Sequence, residues 1–223
     1  MQHLTPQNAR TASIRLISEK VRNAERDPVG DDVVDVLGKD KASDVSDDAV
    51  VAEDLAANAW IESDAPELIA VARSILPDET DPWILAVALE QEAKRRIPKP
   101  NYHSGFESAL TALRRGEGDC TEHAVLLAAL ARSRGIPARI ATGLIFESQA
   151  AAFHAWTELY LVDRWVAFDA TRPQGGISAR YLCAVADNLA GVNAVARLQK
   201  LLPIVGKIRI TIRQITLVSV EMP

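Results

Sequence analysis

Between Asp119 and Pro137 the chain spells out one helix with no wet face. Apolar residues from Ala124 to Ala131 surround nearly its whole circumference, and a helix of that kind has to be buried. Asp119 is placed to cap its start, with Glu122 at the third helical position reaching back in a capping box. Gly135 suits the left-handed residue just past the end, and Pro137 prevents continuation. A chain of 223 residues is long enough to cover such a helix with one substantial core, or at most two small ones.

The elements before this helix read as helices, and those after it as strands. Pro66 suits a first helical position, and Leu68, Ile69, Ala72, Ile75 and Leu76 form one face before Pro77. Asp81-Pro82 opens a second helix, with Ile84, Leu85, Ala88 and Leu89 as its apolar face, a basic last turn Lys94-Arg95-Arg96, and Pro98 as its stop. A third helix is expected from Ser104 to Arg114. Beyond Pro137 the period changes: Ala138 to Ile145 predicts a strand, and Phe153 to Val162 predicts another. In the latter, Phe153, Ala155, Thr157, Leu159 and Leu161 share one face and His154, Trp156, Glu158 and Tyr160 the other. Asp163-Arg164 is the expected turn into a returning strand, Trp165 to Asp169.

The ends are less regular. Ile14 to Val21 alternates like a strand, Asp27 to Asp32 is a turn cluster, and the Asp-rich stretch from Asp31 to Asp54 predicts a solvated hairpin or loop. Residues 1–57 thus read as a lead-in with strand character. A helix near Ala194 to Leu202 and a C-terminal strand over 206–223 complete a single domain spanning 1–223. Helices first, then mostly antiparallel strands, predicts an α+β fold with N-terminal helices packed on the sheet.

A net charge of -5 gives no electrostatic case for nucleic acid or an anionic membrane surface. No apolar run approaches the ~20 residues that span a bilayer. The start, Met1 to Pro6, lacks the order of a secretion signal, so the sequence as given predicts a cytoplasmic protein; an excised domain would be compatible with a periplasmic or extracellular setting.

Two cysteines far apart do not make a disulfide framework, so each thiol is judged alone. Cys120 opens the buried helix, where free N–H groups and the helix dipole favour a thiolate and could hold an oxyanion. Asp119 and Glu122 oppose that charge, so a reactive Cys120 needs a cationic partner such as imidazolium. Most free cysteines are instead small buried hydrophobes, and Cys183 is assigned to packing. Among the histidines, His3 lies near the terminus and His103 in a polar loop. His123 shares a helix face with Cys120, and a Cys-x-x-His half-site has no second pair to close a zinc site. His154, at the start of a strand, can approach the helix terminus across the cleft between helix and sheet. Asp169 has the parity of His154 and Glu158. Yet a two-residue turn at Asp163-Arg164 pairs Asp169 with Glu158 and leaves it four residues, about 13 Å, from His154. Either the strands bulge, curl or shift, or Glu158 is the acid.

The segments Gly118-Asp119-Cys120-Thr121-Glu122-His123-Ala124, Arg134-Gly135-Ile136-Pro137-Ala138-Arg139, His154-Ala155-Trp156-Thr157-Glu158 and Trp165-Val166-Ala167-Phe168-Asp169-Ala170-Thr171, in this order, resemble the core of the transglutaminase-like superfamily. The close match runs from Trp83 to Arg172. Weaker similarity to bacterial members extends through Trp60 to Asp64 on one side and towards Val205 on the other. The resemblance implies a papain-like arrangement with Cys120, His154 and Asp169 as catalytic triad, favours Asp169 over Glu158, and leaves His123 as a helix residue. It implies thioester acyl transfer on peptide or protein amides, of peptidase, amidase or transglutaminase type. Because the family includes members that have lost activity, a catalytically silent peptide-binding module is the alternative. The calcium loops of the large animal enzymes have no counterpart, and no cofactor or metal is expected. Asn101, Tyr102 or a tryptophan are the candidates for a second oxyanion donor. Trp156, Tyr160 and Trp165 are candidates to border a peptide groove, against simple packing.

Overall fold

The structure is a computed structural model that describes residues 49–102, 105–147, 150–177, 180–191, 193 and 195–196. The expected strand at Ile14 to Val21, the turn at Asp27 to Asp32 and the C-terminal strand over 206–223 lie outside the described residues, as do His3, His103 and most of the helix expected from Ala194. At the lead-in's edge, a 3-10 turn at Ala52–Asp54 buries Asp54, where a solvated loop was expected.

Among the described residues, four helices precede a four-stranded sheet. α1 (Pro66–Ser74), α2 (Pro82–Arg96) and α3 (Ala109–Arg115) lead to α4 (Cys120–Ser133). A short parallel pair, β1 (Lys99–Pro100) with β2 (Glu117–Gly118), brackets α3. The sheet follows as β3 (Ala138–Glu147), β4 (Ala150–Leu161), β5 (Arg164–Phe168) and β6 (Tyr181–Asp187), ordered β5-β4-β3-β6 with every pairing antiparallel. The architecture is α+β, as the change of period predicts.

α4 is the axis of the core. Every residue from Glu122 to Arg132 is buried, with α1, α2 and α3 packed on it from one side and β3 and β4 from the other. The capping box forms: Asp119 accepts from the Thr121 N–H, and Glu122 Oε2 accepts from the Asp119 N–H, both at 2.8 Å. Gly135 takes φ +78 just past the helix end. The hydroxyl of Thr157 on β4 donates to the Ala124 carbonyl at 2.9 Å, tying sheet to helix by an interior hydrogen bond. Two arginines seal the far end. Buried Arg132 donates to the carbonyls of Ala138, Ala56 and Asn188, and burial pulls its guanidinium down to about 10. Arg134 donates to the carbonyls of Ala72 and Ile75, satisfying the last turn of α1.

Three expectations need correcting. α2 does not bury the face of Ile84, which is 49% exposed; its inner stripe is Leu85, Ala86, Leu89, Glu90 and Ala93. The stripe carries a carboxyl at its centre, so reading by hydrophobicity alone turned the helix by about one residue, or 100°. α3 begins at Ala109, because Ser108 accepts from the Thr111 N–H as its cap, and Gly116 ends it at φ +63. The hairpin between β4 and β5 turns at Val162-Asp163, one residue earlier than expected, with both residues at positive φ, 48 and 66. That is the geometry of a two-residue hairpin loop favoured by Asn and Gly, and a β-branched valine gives no hint of it.

Candidate active site

The hairpin correction decides the site's geometry. With Leu161 opposite Arg164 and Thr157 opposite Phe168, the register carried one step further sets Asp169 opposite Trp156, two residues from His154 instead of four. Same-face neighbours at that diagonal are within side-chain reach. His154 Nε2 lies 2.8 Å from Asp169 Oδ2. Cys120, half-buried at the first position of α4, lies close enough to His154 for its sulfur to bear on the titration of the ring. The structure therefore brings together Cys120, His154 and Asp169, in that order.

The other candidates are engaged elsewhere. Glu158 pairs with Arg139, directly across β3, at 2.6 Å, and the same guanidinium lies 4.1 Å from the Trp165 ring centroid. His123 is buried with Nδ1 2.7 Å from the Asp119 carbonyl, to which it donates, and burial lowers its pKa. Cys183 is exposed on β6, so its assignment to packing does not hold. Trp156 is 1% exposed and packs edge-on against Tyr181 at 5.5 Å, so it is core and not the rim of a groove. Tyr160 and Trp165 form a half-buried surface pair with ring centroids 5.4 Å apart. Tyr102 is 78% exposed, and Asn101 is held beside β2 by its N–H to the Gly118 carbonyl at 3.0 Å.

The Asp169 carboxylate is fully occupied. Oδ2 accepts from His154 and from the Tyr181 hydroxyl at 2.6 Å, and Oδ1 accepts from the Thr171 N–H at 2.9 Å and hydroxyl at 2.6 Å. Burial would raise this carboxyl, but the hydrogen bond and charge of His154, with Thr171 and Tyr181, hold it below the ordinary range. Burial likewise pulls the His154 imidazole down. The hydrogen bonds and charges of Asp169 and Cys120 overcome it and raise the ring to about 10, so the ring carries its proton at neutral pH. Burial and the Asp169 charge push the Tyr181 phenol well above its usual value, keeping it a donor.

Sequence reading missed Tyr181. It lies in Tyr181-Leu182-Cys183-Ala184, which drew notice only for its thiol, and its approach to Asp169 depends on β6 pairing with β3 across the sheet. A β-bulge at Thr142/Gly143 shapes that pairing. A Cβ on Gly143 would stand 1.9 Å from the Leu182 carbonyl oxygen and 2.8 Å from the Trp156 ring, so only glycine fits opposite His154. Among the described residues, no group of three or more His, Cys, Asp or Glu is placed to hold a metal ion, and no helix is long and apolar enough to cross a membrane.

No curated protein matches the sequence. The chain is similar to a candidate cysteine protease of Cytophaga hutchinsonii, at 26% identity and TM-score 0.49, covering 58% of this chain and 45% of that one. It is similar to the periplasmic domain of TgpA from Pseudomonas aeruginosa, at 22% identity and TM-score 0.41, covering 53% and 45% respectively. Red sea bream transglutaminase is similar at 13% identity and TM-score 0.39, covering 50% and 27%. The chain thus spans less than half the length of each of these proteins. The family model of the transglutaminase-like superfamily matches residues 69–170, a stretch that holds α2 to β5 and all three of Cys120, His154 and Asp169. Over residues 69–170 this chain is similar to the transglutaminase-like superfamily.

Proposed function

We propose that this protein transfers acyl groups from peptide or side-chain amides through a thioester on Cys120, with His154 as proton carrier and Asp169 orienting the imidazole. The observation that supports this reading is a half-buried thiol at a helix N-terminus beside an imidazole whose other side is held at 2.8 Å by a buried carboxylate.

In the resting pair the proton sits on His154 and the sulfur is a thiolate. The sulfur attacks the amide carbonyl carbon, and the C=O electron pair moves onto oxygen. The Cys120 N–H, in the first turn where backbone donors lack helical partners, donates to that oxyanion. Collapse of the oxyanion breaks the C–N bond, and His154 gives its proton to the departing amine. Water or a second amine then attacks the thioester, and His154 takes the incoming proton. The C–S bond breaks and the ion pair is restored. Asp169 fixes the ring's tautomer and stabilises its charge throughout. Hydrolysis is the favoured outcome, because water is always present.

The test is iodoacetamide alkylation followed by mass spectrometry across pH. Cys120 is expected to label at about pH 6, well below the ~8.5 of a free thiol. Cys120→Ala removes that label and Cys183→Ala leaves it unchanged. A rate that climbs only as pH nears that of an ordinary thiol would instead assign the fold to peptide binding without catalysis. Incubation with a peptide library and a primary amine then separates cleaved, deamidated and amine-linked products.

A further inference from the structure

α2 turns one carboxyl into the core at Glu90, which is 0% exposed. Each of its oxygens accepts a backbone N–H: Oε1 from Asp169 at 3.1 Å and Oε2 from Gly175 at 2.8 Å. Those two amides bracket the loop 170–174. The loop carries Thr171, whose N–H and hydroxyl both reach Asp169 Oδ1. Past Gly175 the chain returns to β5 through the Ile177 N–H, 3.1 Å from the Ala167 carbonyl, and runs on into β6 with Tyr181 at its start. Two of the four donors on the Asp169 carboxylate, the Thr171 N–H and hydroxyl, therefore belong to the chain segment that Glu90 ties at both ends; Tyr181, farther along the same chain, and His154 are the others.

A hydrocarbon at this position would fill the space without desolvating a carboxyl. Burial pushes Glu90 up to about 7, its backbone hydrogen bonds only partly offset this, and the nearby Asp169 charge adds to the rise. What the carboxyl supplies in return is a pair of acceptors at fixed spacing, matched to two amides that the loop would otherwise bury unpaired.

We infer that Glu90 is a positioning residue: its carboxyl clasps the main chain on both sides of the loop 170–174 and so sets where the Asp169 carboxylate meets His154. The inference rests on the acyl-transfer reading of Cys120, His154 and Asp169.

Glu90→Gln keeps the volume and one acceptor but turns an amide NH2 against the second backbone N–H. The variant is expected to slow Cys120 alkylation at about pH 6 by about tenfold, since small misplacements of reacting groups are costly, and to move the His154 ring titration downward. Glu92→Gln neutralises a carboxyl on the same helix whose partners are Arg95 and Arg96, and leaves both measurements at wild-type values. A folded Glu90→Gln protein that alkylates and titrates like wild type overturns the inference and leaves the acyl-transfer reading standing. Wild-type Cys120 that alkylates no faster than a free thiol overturns that reading, and the inference with it. If Glu90→Gln does not fold, the wild type decides by NMR. The amide signals of Asp169 and Gly175 should titrate together with Glu90, and the His154 ring signals should inflect at the same midpoint. Ring signals that run flat through it overturn the inference.

Discussion

The hydroxyl of Tyr181 donates to the same oxygen of Asp169 that receives His154, at 2.6 Å. A shared acceptor divides its charge between two donors, so Tyr181 holds back part of the pull that Asp169 exerts on the imidazole. Tyr181→Phe is expected to raise the His154 ring titration further, in the direction Asp169 already drives it. A hydrogen bond to a charged group contributes about 1.5–3 kcal/mol, so thermal stability should fall by that order. NMR titration of the ring checks the first outcome and calorimetry the second. A His154 midpoint that drops would show that the hydroxyl supports the imidazolium instead of competing for its partner.

The pair also makes stability depend on pH, and the direction follows from the shifts. His154 is raised from 6.5 in the unfolded chain to about 10 in the fold, so its contribution is complete below 6.5 and is lost as pH rises through about 10. Asp169 is lowered from 3.8, so its contribution is present above 3.8 and is lost as pH falls through its lower folded value. Melting temperatures measured from neutral to strongly alkaline pH should fall more steeply in wild type than in His154→Ala. Parallel curves would mean that the ring gains little from its partners.

Gly143→Ala drives a methyl group against the Leu182 carbonyl and the Trp156 ring. Overpacking of this kind costs about 1–3 kcal/mol, and a backbone atom cannot step aside as a side chain can. Because Gly143 lies opposite His154 on β4, the variant should lose Cys120 reactivity as well as stability. Urea denaturation and alkylation on the same sample check both.

Val162 occupies a left-handed position at φ 48 while 72% exposed. A β-branched side chain there is strained by about 1–2 kcal/mol, and asparagine tolerates the conformation better. Val162→Asn is therefore expected to stabilise the protein by about 1 kcal/mol and leave alkylation of Cys120 unchanged. A fall in melting temperature would mean that the valine makes a contribution the turn geometry does not show.

The readable parts of the chain were those where local chemistry and global packing agree. Asp119, Glu122, Gly135 and Pro137 delimit α4 by capping and termination rules, and the structure follows them closely. The alternation of β4 was equally plain, and with it the shared face of His154 and Trp156. Legibility ended where a residue acts against its type. Val162 turns the chain in a conformation valine resists, and misplacing that turn by one residue displaced Asp169 by two along β4. Glu90 is a carboxyl on a buried face, so hydrophobic periodicity passed over it. Tyr181 reaches Asp169 only through the pairing of β6 with β3, a long-range relation that no local pattern records.

Cys120 is the opening residue of a rod enclosed on every side, and His154 rides on the strand that rod leans against. The gap between sulfur and ring is thus gauged by interior volume, not by loop conformation. Trimming a methylene deep inside, at Leu127 for example, alters the seating of the whole rod, so the thiol becomes a reporter of how well the protein's interior is filled.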